Sequence, residues 1–383
     1  MTPLPAILLV EDDPGMRRAV ERVLGPFYAV QAATTVREAL ALLSRPGLEV
    51  ALIDVQLPDG DGYALTRTIQ QRQPEVDVIL MTGSSSGSDE NLYRALEENA
   101  FYFLYKPFER RVLLALVERC LRLKRERRAK EAFSRQAQAD LEQARRFQHS
   151  LLPRGTVSAL GWKAEGRFRP CDALGGDFYQ VHQDLRGSLV FSLSDVVGHG
   201  VSAAMVAGMV RSALDAARRK NPDPVHVISE VATGADFLSA PRFVTLIYGQ
   251  LFADGRCRYG NAGHPPLLWL GAQPAPRELS ATGPLLTSSL ASLNRRVEEV
   301  HLAVGDRLLL YSDGLFEARD AADRELGIPG VAELFGETRD LPLGEALDRL
   351  LTELARHCGG RPLEDDVTLL LLERTSQAEE TGC

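Results

Sequence analysis

The first third of the chain alternates short apolar runs with amphipathic segments, and few folds satisfy that pattern. Ala6–Val10 (AILLV), Tyr28–Ala32, Val50–Asp54 (VALID), Val76–Met81 and Phe101–Leu104 have the length and apolar density of buried strands. Met16–Leu24, Val36–Leu43, Tyr63–Gln71 and Leu92–Glu98, which lie between them, have helical spacing. Gly25-Pro26, Pro46-Gly47, Pro58 and Gly62 fall between elements, and no strand contains a proline. Strands that alternate with helices run parallel, and a parallel sheet needs helices on both faces. The expected fold of this region is a doubly wound α/β sheet.

Ligand sites in such sheets lie beyond the carboxyl ends of the strands. Glu11 and Asp12 follow the first strand, Asp54 ends the third, Thr82 ends the fourth and Lys106 follows the fifth. Three acids, a hydroxyl and an ammonium should therefore meet at one edge. The acids suit one Mg²⁺ that keeps several waters. Lys106 and Thr82 suit an added phosphoryl group. LLVEDDPGMRR, LIDVQLPDGDG, MTGSS and YKPF, in this order, resemble the response-regulator receiver domain over about residues 1–125. The resemblance implies that Asp54 accepts a phosphoryl group from a histidine kinase. It implies Glu11, Asp12, Asp54 and the Gln56 carbonyl as Mg²⁺ ligands. It also places Phe103 at the aromatic switch position, where Tyr is commoner.

From Glu109 to about Ser150 the pattern is helical. The basic run Arg119–Lys130 reads as a solvated helix face. Phe133, Ala137, Ala144, Phe147 and Leu151 recur at roughly heptad spacing, with Asp140 on the same seam. That pattern suits an imperfect coiled coil pairing with its twin in a homodimer, or else a helix packed on its own domain. Pro153-Arg154-Gly155 ends the helix.

The remainder is β-rich, with strands expected at Ser188–Leu193, Phe243–Phe252, Arg256–Tyr259, Leu267–Leu270, Arg307–Tyr311 and Val367–Leu372, and one helix at Ala203–Ala217. Four segments set an Asp at the end, start or edge of an apolar run: GGDFYQ (Asp177), SDVVGHG (Asp195), YSDGLFEA (Asp313) and EDDVT (Asp365). Gathered by a fold, such carboxylates repel unless divalent cations sit between them. Oxygen donors without a Cys or His cluster suit Mg²⁺ or Mn²⁺ rather than Zn²⁺. Two metals bridged by a carboxylate can hydrolyse a phosphate monoester with no covalent step. The competing patterns are missing. No Cys is followed six residues later by Arg, and there is no Gly-Lys pair for a P-loop. G-x-S-x-G occurs once, at Gly83–Gly87, in a Gly/Ser-rich loop.

HSLLPRG, LGGDFYQV, SLSDVVGHGVSAAM, RFVTLIYGQL, YGNAGHPPLLWL, LLLYSDGLFEARD and EDDVTLLLLE resemble the PPM (protein phosphatase 2C) family, most of all its bacterial SpoIIE and RsbU branch, over about residues 148–373. The resemblance implies an αββα sandwich and a metal-dependent Ser/Thr phosphatase. It implies Asp177, Asp195, Asp313 and Asp365 as ligands of two Mn²⁺ or Mg²⁺ ions. Asp195 would bridge them, the Val196 carbonyl would join, and Asp366 and Thr368 would support the last strand. Gln180 stands where the branch often has Asp, and the phosphate-binding Arg of eukaryotic relatives has no counterpart. His199 and His264 read as turn residues.

The expected organisation is a receiver domain at 1–125, a helical linker at 126–150, a phosphatase domain at 151–375 and a tail at 376–383. The two resemblances together imply a response regulator with a phosphatase output, and by resemblance its substrate would be a phosphorylated anti-sigma-factor antagonist of the STAS kind. The alternative is an inactive adaptor of the RssB kind that binds a sigma factor or its regulator. A net charge of -8 argues against nucleic-acid binding. No apolar run has spanning length, and MTPLPAILLVEDD lacks the basic start of a signal peptide, so no membrane association is expected. Five scattered Cys read as reduced thiols of a cytoplasmic protein.

Overall fold

The computed structural model describes residues 4–43, 47–83, 102–184, 186–234, 243–273, 275–287, 290 and 296–376. The chain divides into two compact units, Met1–Gln136 and Ala137–Cys383. The helix expected at Leu92–Glu98 and most of the Gly83–Gly87 loop lie outside the described residues.

In the first unit, β1 (Ala6–Val10), β2 (Ala29–Ala33), β3 (Leu48–Asp54), β6 (Asp77–Gly83) and β7 (Tyr102–Lys106) form a parallel sheet in the order β2-β1-β3-β6-β7. A two-residue hairpin, β4 (Gln56–Leu57) and β5 (Gly60–Asp61), follows Asp54. Side chains alternate between two cores. Leu8 and Val10 join α2 (Val36–Leu43) and α3 (Gly62–Arg72) on one face, while Ile7 and Leu9 join α1 (Pro14–Leu24) and α4 (Arg110–Ser150) on the other. Both faces are buried, which is why the strands read as unbroken apolar runs. Asp13 caps α1 through a 2.6 Å bond from the Met16 N–H, with Pro14 in the first turn.

The helix α4 runs unbroken for 41 residues. Leu113, Val117, Cys120 and Leu121 face the sheet of the first unit. The basic run is not simply a solvated face. Lys124 is 1% exposed; its Nζ donates to the Glu49 carbonyl at 2.8 Å and to the Glu75 carbonyl, and lies 3.2 Å from the Glu49 carboxylate. Arg127 pairs with Asp77 at 3.3 Å and Arg128 with Glu49 at 2.9 Å. A buried ammonium is tolerable only with such partners. Further along, Phe133 and Phe147 are exposed.

The second unit is two antiparallel sheets with helices outside each. One sheet runs β10-β11-β12-β13-β16: Phe178–Gln183, Ser188–Val196, Val244–Phe252, Arg256–Ala262 and Glu298–His301. The other runs β15-β14-β17-β18-β9-β8: Arg277–Leu279, Leu267–Leu270, Arg307–Tyr311, Val367–Arg374, Trp162–Arg169 and Val157–Ala159. Leu189, Phe191 and Leu193 meet Leu308, Leu310, Leu370 and Leu372 between the sheets. Val190 and Val196 instead pack outward under α5 (Val201–Lys220) and α6 (Pro224–Thr233). Leu309, Leu369 and Leu371 pack outward under α8 (Gly327–Gly336) and α9 (Leu343–Cys358). The order helix, sheet, sheet, helix is the expected αββα sandwich.

Candidate functional site

At the carboxyl edge of the first sheet, Glu11, Asp12 and Asp54 each bring a carboxylate oxygen within 4.8 Å of the others. Glu11 is 1% exposed and its carboxyl is pushed up, by burial above all. Lys106 Nζ lies 2.6 Å from Glu11 Oε2 and 2.7 Å from Asp54 Oδ2. Burial works against its charge, but the bonds to Asp54 and Glu11 win and its pKa is raised. Thr82 is buried at the end of β6, where Gly83 pairs with Lys106 across the strands. The Gln56 N–H lies 3.4 Å from Asp54 Oδ1. The parallel topology thus collects all five polar side chains and Gln56. Phe103 packs against one core, Tyr105 is exposed, and the Tyr102 hydroxyl accepts a 3.0 Å bond from Arg119.

The acids of the second unit converge where the two sheets end together. Asp177 precedes β10, Asp195 lies in β11, Asp313 opens the short helix α7 (Asp313–Phe316) after β17, and Asp365 precedes β18. Asp177 is 2% exposed, and its carboxyl is raised well above the usual range by burial and then by the charge of Asp195. Burial, with the charges of Asp313 and Asp365, pushes Asp195 up to about 8. Burial and Asp365 push Asp313 up to about 6. Burial and mutual charge oppose ionising these carboxylates together, and divalent cations would supply the missing charge. The four acids offer only oxygens, which fit hard divalent metals. The Cys171 sulfur also lies within 4.8 Å of Asp365 and Asp366 oxygens, but burial and then Asp366 push its thiol up to about 12, which keeps it protonated.

The surrounding bonds hold the acids in place. Thr368 Oγ1 donates to Asp177 Oδ2 at 2.6 Å, and the Thr368 N–H donates to Ser312 Oγ at 2.9 Å. Gly176 and Gly314 are needed for close approach. A Cβ at Gly176 would stand 2.6 Å from the Val196 carbonyl oxygen, and one at Gly314 would stand 2.2 Å from that of Asp366. The Val196 oxygen therefore lies against the backbone next to Asp177.

Two residues matter more than the motifs suggest. Asp366 is buried and accepts from the Cys171 N–H at 2.9 Å and the Gly176 N–H at 2.7 Å, clamping the segment that carries Asp177. Gln148, in the last turn of α4, donates to the Gly175 carbonyl at 2.7 Å and accepts from the Gly175 N–H at 3.2 Å. Partners so distant along the chain leave no local signal. Gln180 points elsewhere, donating to Asp215 at 3.3 Å. His264 is buried with Nδ1 2.6 Å from Thr245 Oγ1, and His199 is exposed, 3.5 Å from Asp172.

Family comparison matches residues 7–118 to the response regulator receiver domain and residues 186–375 to the Stage II sporulation protein E (SpoIIE) family. The chain is a receiver domain joined to a SpoIIE-family domain. Asp177 lies before the second match, yet β9 and β10 complete the two sheets of the SpoIIE-type domain. The receiver domain is similar to the response regulator protein PilR of Pseudomonas aeruginosa, 40% identical over 118 residues, which are 30% of this chain and 26% of PilR. The chain is also similar to the phosphoserine phosphatase RsbU of Bacillus subtilis, 23% identical over 311 residues, covering 80% of this chain and 89% of RsbU. The SiaA-PP2C domain of Pseudomonas aeruginosa shares the fold, with a TM-score of 0.57 at 21% identity, over 63% of this chain and 98% of that one. The chain spans 41%, 26% and 60% of the lengths of the curated relatives that lead the comparison. No described helix is long and apolar enough to cross a membrane.

Proposed function

We propose that the chain is a response regulator whose output is a metal-dependent Ser/Thr phosphatase, governed by phosphorylation of Asp54. The observation that carries this reading is the gathering of Asp177, Asp195, Asp313 and Asp365, with raised carboxyl pKa values wherever a shift is resolved. An inactive adaptor has no use for such mutual repulsion. We take residues 1–125 as the receiver, 126–150 as the linker and 151–375 as the phosphatase, followed by a tail.

In the receiver, Glu11, Asp12, Asp54 and the Gln56 carbonyl are the residues to hold Mg²⁺. The Asp54 carboxylate takes the phosphoryl group from a histidine kinase, forming an acyl phosphate as the donor's N–P bond breaks. Lys106, already 2.7 Å from Asp54, neutralises the new charge, and Thr82 donates a hydrogen bond to it. In the phosphatase domain, Asp177, Asp195, Asp313, Asp365 and the Val196 carbonyl are the residues to hold two Mn²⁺ or Mg²⁺ ions. When bound, the pair supplies charge neutralisation and an activated water. Asp195, whose carboxyl feels the charges of Asp313 and Asp365, would be the ligand shared by both ions. Thr368 and Asp366 keep Asp177 and its loop in register.

The phosphoserine phosphatase activity in RsbU's name supports the substrate class. A small phosphorylated anti-sigma antagonist of the STAS kind is the proposed substrate. The four described cysteines are free thiols, which suits a reducing cytoplasm. Acetyl phosphate and mass spectrometry test the receiver half. Addition of one phosphoryl group to the wild type and none to Asp54→Asn is expected, and modification elsewhere would refute the assignment.

A further inference from the structure

The phosphate-binding Arg of eukaryotic PPM relatives has no counterpart in the motifs, and Arg319, in LLLYSDGLFEARD, is held by its neighbours. The structure offers another, Arg361, four residues before Asp365. A cleft of about 270 Å³ opens beside the acid group, with Gly314 and Asp365 in one wall and Arg319, Arg361, Glu317 and Glu364 around it. Of the four acids Asp365 lines the cleft, and Gly314 in its wall is the chain neighbour of Asp313.

The two guanidinium groups are held differently. Arg319 is occupied: Nη1 donates to the Asp323 carbonyl at 3.1 Å and lies 3.5 Å from its carboxylate, while Nη2 donates to Glu325. Arg361 is anchored through Nη1 alone, to the Asp320 carbonyl at 2.7 Å and to Asp323 Oδ1 at 3.3 Å. Its side chain is 41% exposed. A guanidinium carries five N–H donors, so Arg361 keeps donors for a ligand. Its anchor is firm. Asp320 closes the turn by accepting from the Ala322 N–H at 2.8 Å and the Arg324 N–H at 2.9 Å, and Asp323 holds a left-handed φ of 65°. A cation fixed in this way needs little ordering when it binds.

We propose that Arg361 is a substrate-binding residue that pairs with the oxygens of a phosphate monoester seated at the Asp313–Asp365 edge. The inference rests on the phosphatase reading above and names the cation that reading lacks. The planar fork suits two phosphoryl oxygens at once. The exposed carboxylates of Glu317 and Glu364 line the same cleft and oppose an anion there, so the charge of Arg361 is what makes room for one.

Calorimetry of the Mn²⁺-loaded full chain with inorganic phosphate, and then with a phosphoserine peptide, tests this without needing turnover. Arg361→Ala is expected to weaken both ligands about tenfold, Arg361→Lys to restore part of the loss, and Glu364→Gln to tighten binding severalfold. Affinities for both ligands within twofold of wild type in a folded Arg361→Ala protein would overturn the proposal. So would a loss that comes with a lowered melting temperature and is not restored by Lys, because Arg361 would then only anchor the 320–325 turn. Phosphate binding that depends on Arg361, in a wild type that hydrolyses no phosphate ester, would support the anion site and refute the phosphatase reading instead.

Discussion

Asp195 sits where burial and the charges of Asp313 and Asp365 all oppose ionisation. In the metal-free protein the folded carboxyl keeps its proton to about pH 8, whereas an unfolded one releases it near 3.8. Its contribution to stability is therefore complete below about pH 3.8 and is lost as the pH rises through 8. The urea midpoint in EDTA should fall steadily from about pH 5 to about pH 8 and level off above that, with a change on the order of a few kcal/mol. Asp195→Asn should remove most of that slope, and an unchanged slope would show that the acids do not repel. The four acids were legible because each sits in a short motif at a strand boundary. Asp366 and Thr368 were legible only as neighbours of Asp365. Their partners, Cys171, Gly176 and Asp177, lie some 190 residues away along the chain. No local pattern announces such a bond.

Among the elements, α4 connects the most chemistry, since one continuous helix runs from Arg110 to Ser150 and ends by clamping Gly175 through Gln148. Gln148→Ala leaves the Gly175 N–H and carbonyl without that partner, a loss of roughly 1–3 kcal/mol. The expected result is severalfold weaker Mn²⁺ binding by calorimetry, and wild-type affinity would show the clamp to be incidental. Gln138 is exposed in mid-helix. Gln138→Pro, at a helix cost of about 3 kcal/mol, should leave both units folded yet abolish any effect of Asp54 phosphorylation on phosphatase rate. A retained effect would exclude the helix as the route. The sequence announced the β/α rhythm of the first unit because fully buried strands cannot hide their apolar runs. It gave a weaker signal for β8, β9, β10, β15 and β16, several of which mix polar and apolar residues. The helices α6, α8 and α9 also escaped the reading, although Leu343, Ala346, Leu347, Leu350 and Leu354 carry helical spacing in α9. Lys124 shows the opposite failure: a basic run read as solvated conceals one buried ammonium.

For the whole molecule, the architecture was more legible than its regulation. The parallel sheet of the first unit follows from its strand runs, whereas the αββα layers of the second come from the family that its motifs resemble. Beryllofluoride at Asp54 is expected to shift the sedimentation mass toward a homodimer through α4 and to raise the phosphatase rate. Neither quantity moving at full occupancy would make α4 a passive tether. The central claim, that the four acids form a metal-dependent phosphatase centre, is tested most directly by hydrolysis of p-nitrophenyl phosphate by the full chain, wild type and Asp195→Asn, with Mn²⁺ and with EDTA. Turnover by the wild type with Mn²⁺, none in EDTA and almost none by a well-folded Asp195→Asn protein is the expected result. Equal rates with Mn²⁺ and EDTA, or full activity in Asp195→Asn, would contradict it.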